Sequence, residues 1–201
     1  MLRVGLTGGL ASGKSFVGHA LTELGCYLIE ADKLGHDVML PGAEAYDAIV
    51  REFGNSILDP DGKIVRGRLS AVVWDQPERL EKLSSFVHPA VRAREERLIA
   101  EIAQADPQAM AVVAAAILVE TGSYRNFDKL IVVACNAEQQ MERALKRGSY
   151  SKEEILVRLS RQLPLEEKLR VADYVIDTSG PKESTVEQVR VVYESLRSLS
   201  V

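Results

Sequence analysis

Four residues separate Gly8 from Gly13-Lys14-Ser15 in the stretch GLTGGLASGKSF, and that spacing makes a cradle for phosphate. In such a loop, successive backbone N–H groups point at phosphate oxygens, and the helix that follows adds the positive end of its dipole. Gly9, Ala11, Ser12, Gly13, Lys14, Ser15 and Phe16 are therefore the candidate nucleotide-binding residues. Lys14 is placed to reach the β- and γ-phosphates, and Ser15 to offer its hydroxyl to Mg²⁺. The competing reading, a chance match with Gly8 and Gly13 as plain turn residues, is disfavoured by context. A strand is expected before the motif and a helix after it. A dinucleotide site is excluded, because GGLASG lacks the Gly-x-Gly-x-x-Gly spacing and such a site has no use for Gly-Lys-Ser.

Three chemistries use such a loop: a small-molecule kinase, a GTPase switch and an ATP-driven machine. The Asn-Lys-x-Asp run that reads guanine is missing from the chain. A machine would need more chain and an aliphatic strand ending in Asp, whereas the candidate here, AILVE, ends at Glu120. A kinase needs a second pocket and a group to receive the acceptor's proton. Asp32 directly follows the second expected strand, so it belongs to the carboxyl edge of the sheet, where open α/β folds bind ligands. Position alone leaves a helix cap or loop carboxylate equally open.

The elements that must hold these residues can be read from periodicity. Residues 2–7 form an expected buried strand. Phe16, Val17, Ala20, Leu21 and Leu24 recur at helical spacing, with Gly25 as stop, and CYLIE is a second short strand. This is a βαβ unit with a right-handed crossover. From about Leu34 to Gln108 helical patterns dominate, broken by FGNSILDPDGK as a loop. AMAVVAAAILVE and DKLIVVAC read as further strands, and AEQQMERALKRG as a helix ending at Gly148. SKEE carries the spacing of a capping box and opens a helix running to about Leu163. ADYVID is the last strand and ESTVEQVRVVYESLRSL the closing helix. Five strands alternating with helices imply an α/β fold with a mostly parallel sheet covered on both faces.

Composition agrees with one globular α/β chain. Of 201 residues, 46% are hydrophobic, enough for a sizeable core. The net charge of −4 leaves no overall basic footprint for nucleic acid. Cys26 and Cys135 sit in or beside aliphatic runs and read as buried free thiols, with neither disulfide nor metal spacing. The amino terminus is not a signal peptide, and the apolar run Met110–Val119 is too short to span a bilayer, so a cytoplasmic protein without membrane partner is expected. Monomer and homo-oligomer are both compatible with the sequence.

The ordered set GLTGGLASGKS, EADKLGHDV, DGKIVRGRL, RLEKLSSFVHPAV, QMERALKRG and RLSRQLPLEEKLRVADYVIDTSG resembles the dephospho-CoA kinase family along nearly the whole chain. The phosphate loop is shared with many families. Ala31-Asp32, His88-Pro89 and the ADYVID tail make the resemblance specific. It implies a P-loop kinase fold that moves the γ-phosphoryl of ATP to the 3′-hydroxyl of dephospho-CoA. It also implies a nucleotide core at 1–33, 109–139 and 164–201, a helical CoA-binding insertion at 34–108 and a lid at 140–163. The readings left as alternatives are a P-loop GTPase or ATPase switch and another nucleotide or nucleoside kinase.

By the same resemblance, Asp32 is the catalytic carboxylate, and Arg143 and Arg147 are lid arginines over the phosphates. His88 either contacts the acceptor or only precedes Pro89 at a helix start. Arg66 and Arg68 are either CoA phosphate contacts or surface residues. Thr178-Ser179-Gly180 falls where the family has a loop near adenine. The chain departs from the family pattern in five places. Ala11 replaces a usual Gly, Phe16 a common Thr and Thr178 a usual Asn; AILVE lacks the family's proline, and KRG replaces Arg-Asp in the lid. An alanine at position 11 would be strained if that residue needs a positive φ. Thr178 leaves adenine contacts to the backbone, and the missing proline leaves the place of Glu120 open.

Overall fold

Leu2–Gly8 forms the first strand, β1, and every residue in it except Arg3 is buried. A strand hidden on both faces belongs at the centre of a parallel sheet. A computed structural model describes residues 1–148 and 151–199. In it β1 pairs with β3 (Met110–Ala114) on one side and β4 (Lys129–Ala134) on the other. The edges are β2 (Tyr27–Glu30) and β5 (Tyr174–Asp177), giving the order β2-β3-β1-β4-β5 with every pairing parallel.

The chain falls into two compact units. One comprises Met1–Glu30 and Glu101–Val201, the other Ala31–Ala100. The first holds the sheet, α1 (Lys14–Glu23) and α9 (Lys182–Arg197). Its core joins Val4, Leu6, Val17 and Leu21 to Val112, Ile131, Ile176, Val189 and Leu196. It also contains α6 (Ala137–Lys146), α7 (Lys152–Ser160) and the short α8 (Leu165–Leu169). The second unit contains α2 (Ala31–Asp37), α3 (Tyr46–Phe53) and α4 (Arg66–Val73). Its own core gathers Val38, Ile49, Phe53, Ile57, Leu69 and Val73. The long α5 (Pro77–Ala105) leads from this unit back to β3.

Three elements differ from the sequence expectation. The strand expected through Glu120 stops at Ala114. Ala115 N–H still donates to Leu6 C=O at 3.0 Å, but Thr121 then turns back onto Ile117 C=O through both its amide and its hydroxyl. These local bonds take groups that a longer strand would need. Pro89 does not start a helix but lies twelve residues inside α5, whose first residue is Pro77. Pro89 is exposed, so the carbonyl deprived of its helical donor can be served by water. The helix expected to reach Leu163 ends at Ser160, and its capping box forms as expected, with Ser151 Oγ accepting from Glu154 N–H at 3.2 Å. Both thiols are buried, and burial pushes that of Cys26 up to about 11. Among the described residues no helix is long and apolar enough to cross a membrane.

Candidate functional site

The glycine-rich turn runs from the end of β1 to the first residue of α1, Lys14. Gly8 is buried so tightly that a Cβ there would sit 2.6 Å from the Val133 carbonyl oxygen. Gly13 has φ +93 and caps α1. Ala11 has φ +57, the one positive φ of a non-glycine residue among those described. Its methyl is buried with Ala144 of α6 and Ile155 of α7, and Leu10, Met141 and Leu159 pack around them. The conformation required at position 11 therefore carries a strain of about 1–2 kcal/mol for alanine, set against an apolar contact that glycine could not make. Ser12 is buried too, and its Oγ has no hydrogen-bond partner within the protein.

Beside the turn lies a cavity of about 380 Å³ lined by Phe16, Arg143, Lys146, Arg147, Gly180 and Lys182, among others. All four charged side chains lining it are cationic, which suits a polyphosphate. Lys182 Nζ stands 5.8 Å from the centre of the Phe16 ring. Arg143 is clamped by Thr178: its Nη1 donates to Thr178 Oγ1 at 2.9 Å and its Nη2 to Thr178 C=O at 2.6 Å. Thr178 Oγ1 donates in turn to Ser12 C=O at 2.7 Å. Thr178 thus ties the loop after β5 to the phosphate loop and to α6. The Thr178 carbonyl accepts from Arg143, the Ser179 carbonyl from Gln139 Nε2, and the Ser179 N–H donates to Asp177 Oδ1.

In the second unit Asp32 is exposed in the first turn of α2, where the helix dipole favours an anion. His36 follows one turn later. Burial and the Arg66 guanidinium hold its imidazole below the ordinary value, against the opposing pull of Asp37 and Asp32. Asp32, His36 and Arg66 thus form one electrostatic group. Sequence reasoning named Asp32 and Arg66 but missed His36, for which the available signal was its i+4 spacing from Asp32. Arg68 donates to the Leu58 carbonyl and so serves the fold of its own unit. His88 is exposed midway along α5.

The chain was compared with known proteins. A family model described as dephospho-CoA kinase matches residues 2–183. A dephospho-CoA kinase of Aquifex aeolicus is 42% identical over 196 residues, covering 98% of either chain. The chain belongs to the dephospho-CoA kinase family. Among solved structures, a Thermus thermophilus protein superposes with a TM-score of 0.81 at 27% identity, covering 96% of each chain. Dephospho-CoA kinase from Campylobacter jejuni gives 0.66 at 25% identity, also over 96% of each.

The structure places Glu120, whose position the sequence left open, at the end of AILVE. Glu120 lies in a turn rather than at a strand end, and one oxygen of its carboxylate is engaged while the buried Oε2 has no hydrogen-bond partner. Oε1 takes the Lys168 ammonium at 2.6 Å and the Leu163 N–H at 3.1 Å. Lys168 is 1% exposed, and its ammonium also donates to Ala116 C=O at 3.1 Å. A lysine in PLEEKLR reads as solvated, and this one was missed. The signal was that Leu165, Lys168 and Leu169 share one helix face.

Proposed function

We propose that this chain is an ATP-dependent kinase that phosphorylates the ribose 3′-hydroxyl of dephospho-CoA, giving coenzyme A and ADP. Membership of the dephospho-CoA kinase family over nearly the whole chain carries this reading. The intact Gly13-Lys14-Ser15 and Asp32 support it.

The residues divide into a donor side and an acceptor side. The amides of the phosphate turn and Lys14 hold the β- and γ-phosphates, with the buried Ser12 Oγ as a further partner for them. Arg143 and Arg147 face the charge of the transferred group, and residues 140–163, of which 149 and 150 lie outside the described residues, act as a lid. Phe16, Gly180 and Lys182 take the base and its ribose. Asp32 holds the acceptor hydroxyl and receives its proton as the ribose oxygen bonds to Pγ and the bond from Pγ to the β–γ bridging oxygen breaks. ADP departs with that oxygen. Arg66 and His88, in the helical insertion 34–108, are candidate contacts for the CoA portion.

Mg²⁺ fits the donor side. The Ser15 hydroxyl is an exposed, hard oxygen in the first turn of α1. The described residues contain no group of three His, Cys, Asp or Glu side chains able to hold a metal alone, so phosphate oxygens and water would complete the shell. When bound, the ion neutralises charge on the β- and γ-oxygens.

A coupled assay of ADP release tests the reading, with dephospho-CoA, adenosine, AMP and no acceptor compared. Turnover that depends on dephospho-CoA is expected. Equal ADP release without an acceptor would overturn the kinase reading in favour of a nucleotide switch.

A further inference from the structure

Gly9 and Leu10 open the phosphate turn, and two glutamines from the α6–α7 region close over them. Leu10 N–H donates to Gln162 Oε1 at 2.9 Å. Only the carboxamide oxygen can accept there, so this bond settles which branch of Gln162 faces the turn. A methyl placed on Gly9 would fall 2.3 Å from Gln140 Nε2 and 3.6 Å from Gln162 Oε1. The residue after Gln162 is held just as firmly, since Leu163 N–H donates to Glu120 Oε1, the oxygen that also receives Lys168.

An ion pair whose lysine is buried and whose glutamate is half-buried is a costly way to fix a linker. Apolar residues of the same volume are often as stabilising or more so. The cost makes sense if the pair supplies position rather than stability. The position it sets is that of Gln162, one residue away, and Gln162 sets Leu10. Leu10 in turn leads into Ala11, whose left-handed conformation aims the amides that follow.

We propose that Gln162, held by the Glu120–Lys168 pair through the Leu163 N–H, is a positioning residue of the phosphate turn. It acts on catalysis through Leu10 and Ala11 and touches neither reacting atom. The proposal rests on the kinase reading for its kinetic arm alone. Its structural arm needs no substrate.

The test pairs Gln162→Met, which keeps length and removes the acceptor, with Gln162→Glu, which keeps an acceptor. Exchange of the Leu10 amide with solvent, resolved by NMR on the protein without substrates, is expected to quicken about tenfold in Gln162→Met and to stay near wild type in Gln162→Glu. With ATP and dephospho-CoA, Gln162→Met is expected to lose about tenfold in kcat, because a misplaced loop misaligns the transferred group. Its KM for ATP should move far less, since Lys14 and the cavity around Phe16 are untouched. Gln162→Glu should show the reverse split: kcat largely kept and KM for ATP raised by the added negative charge. Unchanged Leu10 exchange in Gln162→Met, or wild-type kcat despite faster exchange, would overturn the proposal. Should Gln162→Met fail to fold, loss of Leu10 protection in Gln162→Glu would overturn it equally. Absence of turnover in the wild-type protein would instead sink the kinase reading and leave the exchange result standing.

Discussion

Asp32 and His36 lie one turn apart on α2, and the charge of Arg66 acts on the imidazole between them and the rest of the unit. Burial and, after it, the Arg66 guanidinium lower the His36 imidazole from its ordinary value, against the opposing pull of Asp37 and Asp32. In the proposed function Asp32 accepts from the ribose hydroxyl. Asp32→Asn keeps the shape but offers no equivalent base. It is expected to cut kcat by about 10²–10⁴-fold while ATP binding, read by calorimetry, stays unchanged. Near-normal turnover with undiminished acceptor affinity would return Asp32 to the role of a helix-start carboxylate. Glu120 would then be the next carboxylate to test: its Oε1 serves Lys168 and Leu163, but its buried Oε2 has no hydrogen-bond partner. Asp32 was legible from its place after β2, since that end of a parallel sheet is where ligands bind. For His36 the sequence offered only its i+4 spacing from Asp32; its perturbation comes from burial and from an arginine thirty residues further on, which local spacing does not record.

At the scale of elements, the Ala11 methyl packs the phosphate turn against Ala144 of α6 and Ile155 of α7. Glycine would relieve about 1–2 kcal/mol of left-handed strain. It would forfeit about 0.8 kcal/mol of methyl burial and gain unfolded-chain freedom worth about 0.5–1 kcal/mol. The opposing sums nearly cancel, so Ala11→Gly should change stability by less than about 1 kcal/mol in chemical denaturation. What it removes is the coupling between turn and helices. Hydrogen exchange in residues 151–160 should rise in the variant while overall stability holds; exchange unchanged there would mean that the methyl does not secure α7. The turn itself was legible because its chemistry is backbone chemistry, written in glycine spacing. The ends of β3 and α7 were not. They are decided by Thr121 turning onto Ile117, and by Gln162 and Leu163 finding partners far along the chain, which no local periodicity records.

At the scale of the molecule, each unit has its own apolar core, one around the sheet and one around Ile49, Phe53 and Leu69. The presence of five strands in a parallel sheet and the helical character of residues 34–108 could be read from alternating strand and helix patterns, whereas the strand order could not. The buried Lys168 could not, because a charge in the interior is specified by its partner rather than by its neighbours in sequence. Two cores imply that damage to one should be separable from the function of the other. Ile49 is wholly buried in the second unit. Ile49→Ala removes apolar contacts and leaves a cavity, at a cost of about 2–5 kcal/mol. That cost falls on the unit carrying Asp32, Arg66 and His88, while the phosphate turn keeps its own packing. If the helical unit binds the CoA portion, Ile49→Ala should raise the KM for dephospho-CoA severalfold, with ATP affinity measured by calorimetry unaltered below the unfolding transition. An equal loss of both affinities would show that the two cores do not act separately, and the assignment of acceptor binding to residues 34–108 would fail with it.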